Sequence, residues 1–145
     1  MARQKKLSSN FYSLELYYGK AELKPFRNFQ CFFIVEHPCD RDFMQRQALM
    51  LLLTQCKEFH FYGKQSQTWE NEFDSIDTQL HPADNDLDIA LTSAWSTIEG
   101  FVEALEVSLS ERSFVPCDIL LIYDDEDIYN KVLEMLKKKN FVYNA

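Results

Sequence analysis

Two stretches of the chain are apolar at consecutive positions, so both faces of an extended backbone would be buried there. Cys31-Phe32-Phe33-Ile34-Val35 runs into Glu36-His37 before Pro38 stops it, and CDILLIY, from Cys117 to Tyr123, is the second. Runs of this length bounded by turn residues predict strands inside a parallel sheet. FYSLELYY behaves differently. It sets Tyr12, Leu14, Leu16 and Tyr18 against Phe11, Ser13, Glu15 and Tyr17, a period of two that predicts a strand with one wetter face. EFHFY, from Glu58 to Tyr62 and ended by Gly63, and LDIALT, from Leu87 to Thr92, predict two further short strands.

Between the strands the apolar spacing becomes helical. Asp40 is a predicted N-cap, followed by Met44, Ala48, Leu51, Leu52 and Gln55 on one side, with Phe43, Gln47, Met50 and Leu53 widening the surface into a well-covered helix. A second helix, opening near Ser66 or Thr68, carries Trp69, Phe73, Ile76 and Leu80 at i, i+4, i+7 and i+11, with Glu70, Glu72, Asp74 and Asp77 facing outwards. Ser96-Thr97-Ile98-Glu99 has the form of a capping box and precedes a stripe of Ile98, Phe101, Val102, Leu105 and Leu109. Asp124-Asp125 start a last helix that turns Ile128, Val132, Leu133 and Leu136 inward and closes on Lys137, Lys138 and Lys139, at the negative end of its dipole.

Four strand–helix alternations predict an α/β fold, a three-layer Rossmann-like sandwich with a mostly parallel sheet of four to five strands and helices on both faces. For the four alternating strands the expected order is 2-1-3-4, with the N-terminal strand added antiparallel or at an edge. Residues 1–10 are expected to be a flexible basic tail and residues 11–145 a single domain.

Composition supports a packed interior: 46% of the 145 residues are hydrophobic, including twelve Phe and seven Tyr. No apolar run reaches the roughly 18 residues of a membrane span, and MARQKKLSSN lacks the apolar core of a signal peptide. Four scattered cysteines fit reduced thiols and a cytoplasmic location. The net charge of −8 is unevenly distributed. Residues 1–27 carry six Lys/Arg against two acidic residues, and residues 65–127 carry sixteen acidic residues against Arg112 alone. This pattern reads either as a solvated acidic face that keeps the protein soluble or as an electrostatic surface for a basic protein partner; in both cases phosphates are repelled, so direct nucleic-acid binding is not expected.

The chemistry of a parallel sheet gathers outside the carboxyl ends of its strands. The turns there place Glu36, His37, Cys39 and Asp40, then Gly63 and Lys64, then Thr92, Ser93 and Trp95, then Asp124 and Asp125. With three glycines in the chain there is no GxGxxG and no phosphate-binding loop, so no nucleotide cofactor is expected. No zinc spacing occurs, and the segment starting at Asp84 fails as a calcium loop because Ile89 and Trp95 stand where glycine and glutamate are needed. Asp124-Asp125 with Glu36 or Asp40 offers hard oxygens for Mg²⁺, but helix capping accounts for Asp40, Asp124 and Asp125 without one. His37 and Cys39 are poorly placed as a nucleophile pair on extended backbone, and no catalytic residue is assigned. His60 reads as a half-buried strand residue, Trp69 as core, and Trp95 as a turn residue that lids the sheet or contacts a ligand.

GKQSQTWENEFDSID, then ALTSAWS with Glu99 and Phe101, then DILLIY resemble an uncharacterised bacterial family of small Rossmann-like proteins. Val35-Glu36, Gly63, Trp69, Asp74 or Asp77, and Thr92, Ser93 and Trp95 match its motifs over about residues 30–123. The chain departs by having Ser96 where the family has a His. The resemblance implies the fold and no particular activity.

Two functions follow as expectations. The first is a non-catalytic protein-binding module, of the immunity, antitoxin or inhibitor kind, docking a basic partner through an acidic surface that includes Glu70, Glu72, Asp74 and Asp77. The alternative is a small ligand- or metal-binding enzyme or sensor with Glu36, Thr92, Ser93, Trp95, Asp124 and Asp125 at its strand ends.

Overall fold

A computed structural model describes residues 4–16, 30–54, 56, 58–81, 90–110 and 118–141. Residues 1–3 of the expected tail, Tyr17 and Tyr18 of the alternating stretch, Gln55 of the first helical stripe, the segment starting at Asp84, residues 87–89 of the expected strand LDIALT, Arg112 and Cys117 lie outside the described residues.

The elements run β1 (Gln4–Ser8), β2 (Phe11–Glu15), β3 (Gln30–Ile34), α1 (Arg41–Leu52), β4 (Glu58–Tyr62), α2 (Ser66–Leu80), β5 (Leu91–Trp95), α3 (Ile98–Ser110), β6 (Ile119–Tyr123) and α4 (Glu126–Lys137). The six strands form one sheet in the order β1-β2-β6-β3-β4-β5. All neighbours pair parallel except β1 with β2, an antiparallel hairpin whose register shifts between Lys6 and Ser8. The fold is the expected three-layer α/β sandwich, with six strands.

Three expectations are corrected. Residues 4–8 of the expected tail are a strand, because Leu7 is fully buried in the core while Lys5 and Lys6 stay exposed. The strand at Phe11 is neither antiparallel to its inner neighbour nor an edge: it pairs parallel with β6, Phe11 opposite Ile119. The four alternating strands stand in the order 4-1-2-3, because β6 inserts between β2 and β3. Cys31 to Ile34 thus lie between two strands and under helices on both faces, which is why four consecutive apolar residues belong there.

Alternation along the strands feeds two cores. Cys31, Phe33, Phe59, Phe61, Leu120 and Ile122 face α1 and α2, where Trp69 and Phe73 are fully buried. Phe11, Phe32, Ile34, Ile119 and Leu121 face α3 and α4. Phe73 meets Phe33 and Phe61 edge-on, with ring centroids 5.7 and 5.0 Å apart, a geometry favoured by the ring quadrupole. Each of these rings contributes about 1.5–3 kcal/mol by leaving water, so the two cores dominate the stability. Helix α1 is less covered than its pattern suggests, with Met50 and Leu53 exposed. Helix α3 is capped at Thr97 rather than through a box at Ser96: the Gly100 amide donates to Thr97 Oγ1 at 3.1 Å.

Helices α1 and α4 leave the ends of adjacent strands β3 and β6 for opposite faces, so the topological switch point lies between those strand ends. On the α3 and α4 face, two helices of about 10 Å diameter cannot cover six strands spaced about 4.8 Å apart. Open grooves therefore lie beside both helices, one towards β1 and one towards β5.

Candidate functional site

At the switch point the sequence-predicted carboxylates do come together, and they are occupied. Val35 continues the ladder, its amide donating to Tyr62 O at 2.8 Å, and the chain turns at Glu36-His37. Both amides of that turn donate to one carboxylate: Glu36 N to Asp124 Oδ1 at 2.8 Å and His37 N to Asp124 Oδ2 at 2.9 Å. Asp125 Oδ1 caps α4 by accepting from Ile128 N at 2.9 Å, and its Oδ2 lies 3.1 Å from His37 Nε2. Glu36 Oε1 accepts from Lys64 N at 2.9 Å. Gly63 completes the seam at φ +122°, where a Cβ would stand 2.5 Å from the Val35 carbonyl oxygen.

Two successive amides aimed at one point form an anion-binding nest. Here the anion is the protein's own. Burial pushes the Asp124 carboxyl above the usual carboxylate range, although both amides and His37 pull it down. Among the described residues no group of three or more His, Cys, Asp or Glu could hold a metal ion.

Thr92, Ser93 and Trp95 are not in a turn. They belong to β5, which runs to Trp95, three residues past the expected end at Thr92, and they stand apart from Glu36 and Asp124. Thr92 Oγ1 donates to Asp74 Oδ1 at 2.7 Å, tying β5 to α2. Trp95 Nε1 donates to His60 Nδ1 at 3.0 Å, and His60 Nε2 lies 2.9 Å from Glu58 Oε1. The indole nitrogen is only a donor, so Nδ1 is bare and Nε2 carries the proton given to Glu58. Phe32 stacks on the imidazole at 4.3 Å. With Glu58, Glu103, Ala104 and Val107, His60 and Trp95 line the groove towards β5, about 450 Å³ in volume.

The groove towards β1 is larger than this one, about 690 Å³, and no local pattern along the chain points to it. Its floor is Lys5, Ser13, Glu15 and Tyr123, and its wall is α4 from Tyr129 to Lys137. Ser13 Oγ and Tyr129 Oη are 2.7 Å apart, Tyr123 Oη donates to Glu15 Oε1 at 3.3 Å, and the two tyrosine rings stack at 3.9 Å. Burial first, and then Glu15, push the Tyr123 hydroxyl well above its ordinary value. Tyr129 is also raised by burial, against the pull of Ser13. Both hydroxyls keep their protons, and that of Tyr123 donates to Glu15. The pairing of Glu15 with Tyr123 across 108 residues is a matter of strand register, which no local pattern reveals.

The acidic residues of α2 separate into distinct fates. Asp77, expected outside, is 5% exposed: its Oδ2 accepts from Ala90 N at 3.0 Å and its Oδ1 meets His81 Nδ1 at 3.1 Å. Glu72 is held by Arg41 at 2.9 Å and Gln45 at 3.1 Å. Glu70 is partly exposed and Asp74 is exposed. On α3, Glu99 and Glu103 are exposed while Glu106 pairs with Lys139 at 3.0 Å. Cys31 is buried beside Cys56, and burial raises its thiol well above the ordinary value, so it is a poor nucleophile.

In comparisons with family models, curated proteins and solved structures, the chain matches none. The motif residues behind the family resemblance have structural work here: Gly63 at the seam, Trp69 in the core, and Thr92 and Trp95 anchoring β5. No helix among the described residues is long and apolar enough to cross a membrane.

Proposed function

We propose that this protein is a non-catalytic binding module, of the bacterial immunity, antitoxin or inhibitor kind, whose acidic side docks a basic protein in the cytoplasm. The observation that carries this reading is the division of labour among its carboxylates. Both Asp124 oxygens, one Asp125 oxygen and one Glu36 oxygen at the strand ends accept from the protein's own amides, while Asp40 is exposed and makes no side-chain cap bond. Helices α2 and α3 carry no Lys or Arg; Asp77 is buried, Glu72 is paired with Arg41 and Glu106 with Lys139, and Glu70, Asp74, Glu99 and Glu103 reach the surface. A predominantly acidic surface accelerates encounter with an oppositely charged partner and is screened by salt.

The test is affinity capture from the native host at about 50 mM and about 300 mM salt, beside a correctly folded Glu70→Lys/Glu103→Lys variant. A basic protein held by the wild type at low salt, released at high salt and not held by the variant is the expected result. Equal capture by both overturns the reading.

A second reading, a ligand-sensing domain, is favoured by the groove towards β1, where Lys5, Glu15 and the paired tyrosines present charges of both signs. It predicts a thermal shift with small zwitterions such as amino acids. Silence across such a panel removes it.

A further inference from the structure

The sheet has two edges, and they are built differently. At β1, Lys5 and Lys6 are exposed and the register shifts beside them, two devices that keep a sheet edge from pairing with another chain. At β5 the sequence is Leu-Thr-Ser-Ala-Trp, with no charge, no proline and no irregular register against β4. No strand lies beyond it among the described residues, and Leu91 is 69% exposed. Among the described residues nothing guards this edge. Next to it, on the α3 face, lies the 450 Å³ groove, where the Trp95 ring stands with the carboxylates of Glu58 and Glu103. Asp74 borders the same edge from the α2 face, its Oδ1 accepting from Thr92 Oγ1 at 2.7 Å.

We infer that β5 receives an extended, basic segment of a partner protein as an added strand, with one of its Lys or Arg side chains entering the groove. Main-chain bonds to β5 supply affinity without sequence preference, and the side-chain groove supplies selectivity. A cation there meets an aromatic ring and two carboxylates, the arrangement that favours Lys or Arg over an apolar side chain. A second copy of this chain is the poorer occupant, because edge-to-edge pairing would bring the acidic α2 and α3 surfaces of two molecules together. The inference rests on the acidic-side docking proposed above and adds to it the place and the mode.

Three peptides of about ten residues test it: alternating Lys and Val, the same peptide N-methylated at every second residue, and alternating Glu and Val. Each is titrated into ¹⁵N-labelled protein. The Lys peptide is expected to shift the amides of residues 91–95 and the Trp95 indole, with a Kd that rises about tenfold between about 20 mM and about 300 mM salt. N-methylation should weaken it about tenfold by removing main-chain donors, Glu103→Lys should weaken it several-fold, and the Glu peptide should not bind. Equal binding of the methylated peptide overturns strand addition and leaves acidic-side docking standing. No binding of either Lys peptide at low salt overturns both. Shifts at residues 91–95 that depend on protein concentration without peptide assign the edge to a second copy and overturn the inference.

Discussion

Asp124 shows how a residue that resembles catalytic machinery is used as structure. Its two oxygens fasten the end of β6 to the turn after β3, and hydrogen bonds to a charged group contribute about 1.5–3 kcal/mol each before the cost of its burial. Asp124→Ala should destabilise the protein by about 2 kcal/mol net in urea unfolding. Its pH dependence has a definite sign. The folded carboxyl is raised above the unfolded value of about 3.9, so the native state binds the extra proton between the two values. The stability linked to Asp124 is present in full below about pH 4 and is lost as pH rises through the raised value. Measured against Asp124→Asn, the wild type should lose stability across that window and run parallel above it. Gly63→Ala should be worse than its size implies, since a Cβ would strike the Val35 carbonyl oxygen at a φ that L residues avoid; about 2 kcal/mol or more is expected, a drop in Tm of roughly 5 °C. The sequence put Glu36, Gly63, Asp124 and Asp125 at strand ends correctly. It did not reveal that they bond to one another, because capping partners 88 residues apart are fixed by strand order.

At the scale of elements, the helices were the readable part. The stripes Trp69-Phe73-Ile76-Leu80 and Phe101-Val102-Leu105 place α2 and α3 as found, since a 3.6 period is a strong signal over three turns. Strand β5 runs three residues past its expected end at Thr92, to Trp95, because ALTSAW is weakly apolar and an edge strand imposes no two-sided burial. That extension hid the Trp95–His60–Glu58 chain, whose partners come from two strands. Trp95→Phe leaves a bare, buried His60 Nδ1 and should cost about 1–2 kcal/mol in urea unfolding. Helix α3 offers a contrasting case. Glu99 and Glu103 are exposed four residues apart in a helix without cations, so they repel each other. Glu103→Lys should stabilise the fold by about 0.5 kcal/mol while weakening capture of a basic partner, a separation of stability from binding that thermal melts and titrations would read together.

For the whole molecule, one property of the topology reaches beyond binding. β2 pairs only with β1 and β6, so the first strands of the chain have no inner neighbour until the last strand exists. The buried contact of Ser13 with Tyr129 closes 116 residues of chain. β3, β4 and β5, with α1 and α2 between them, have no such delay, because each pairs with the strand next in sequence. Loop closure over a long separation must be met before its contacts return anything, so assembly proceeds outward from the middle of the chain. On the ribosome, the hairpin of β1 and β2 emerges before β6, the strand it docks against. Its exposed backbone and its Leu7 and Phe11 side chains wait without that partner until β6 has been made, a span during which a chaperone or a protease meets them before the sheet does.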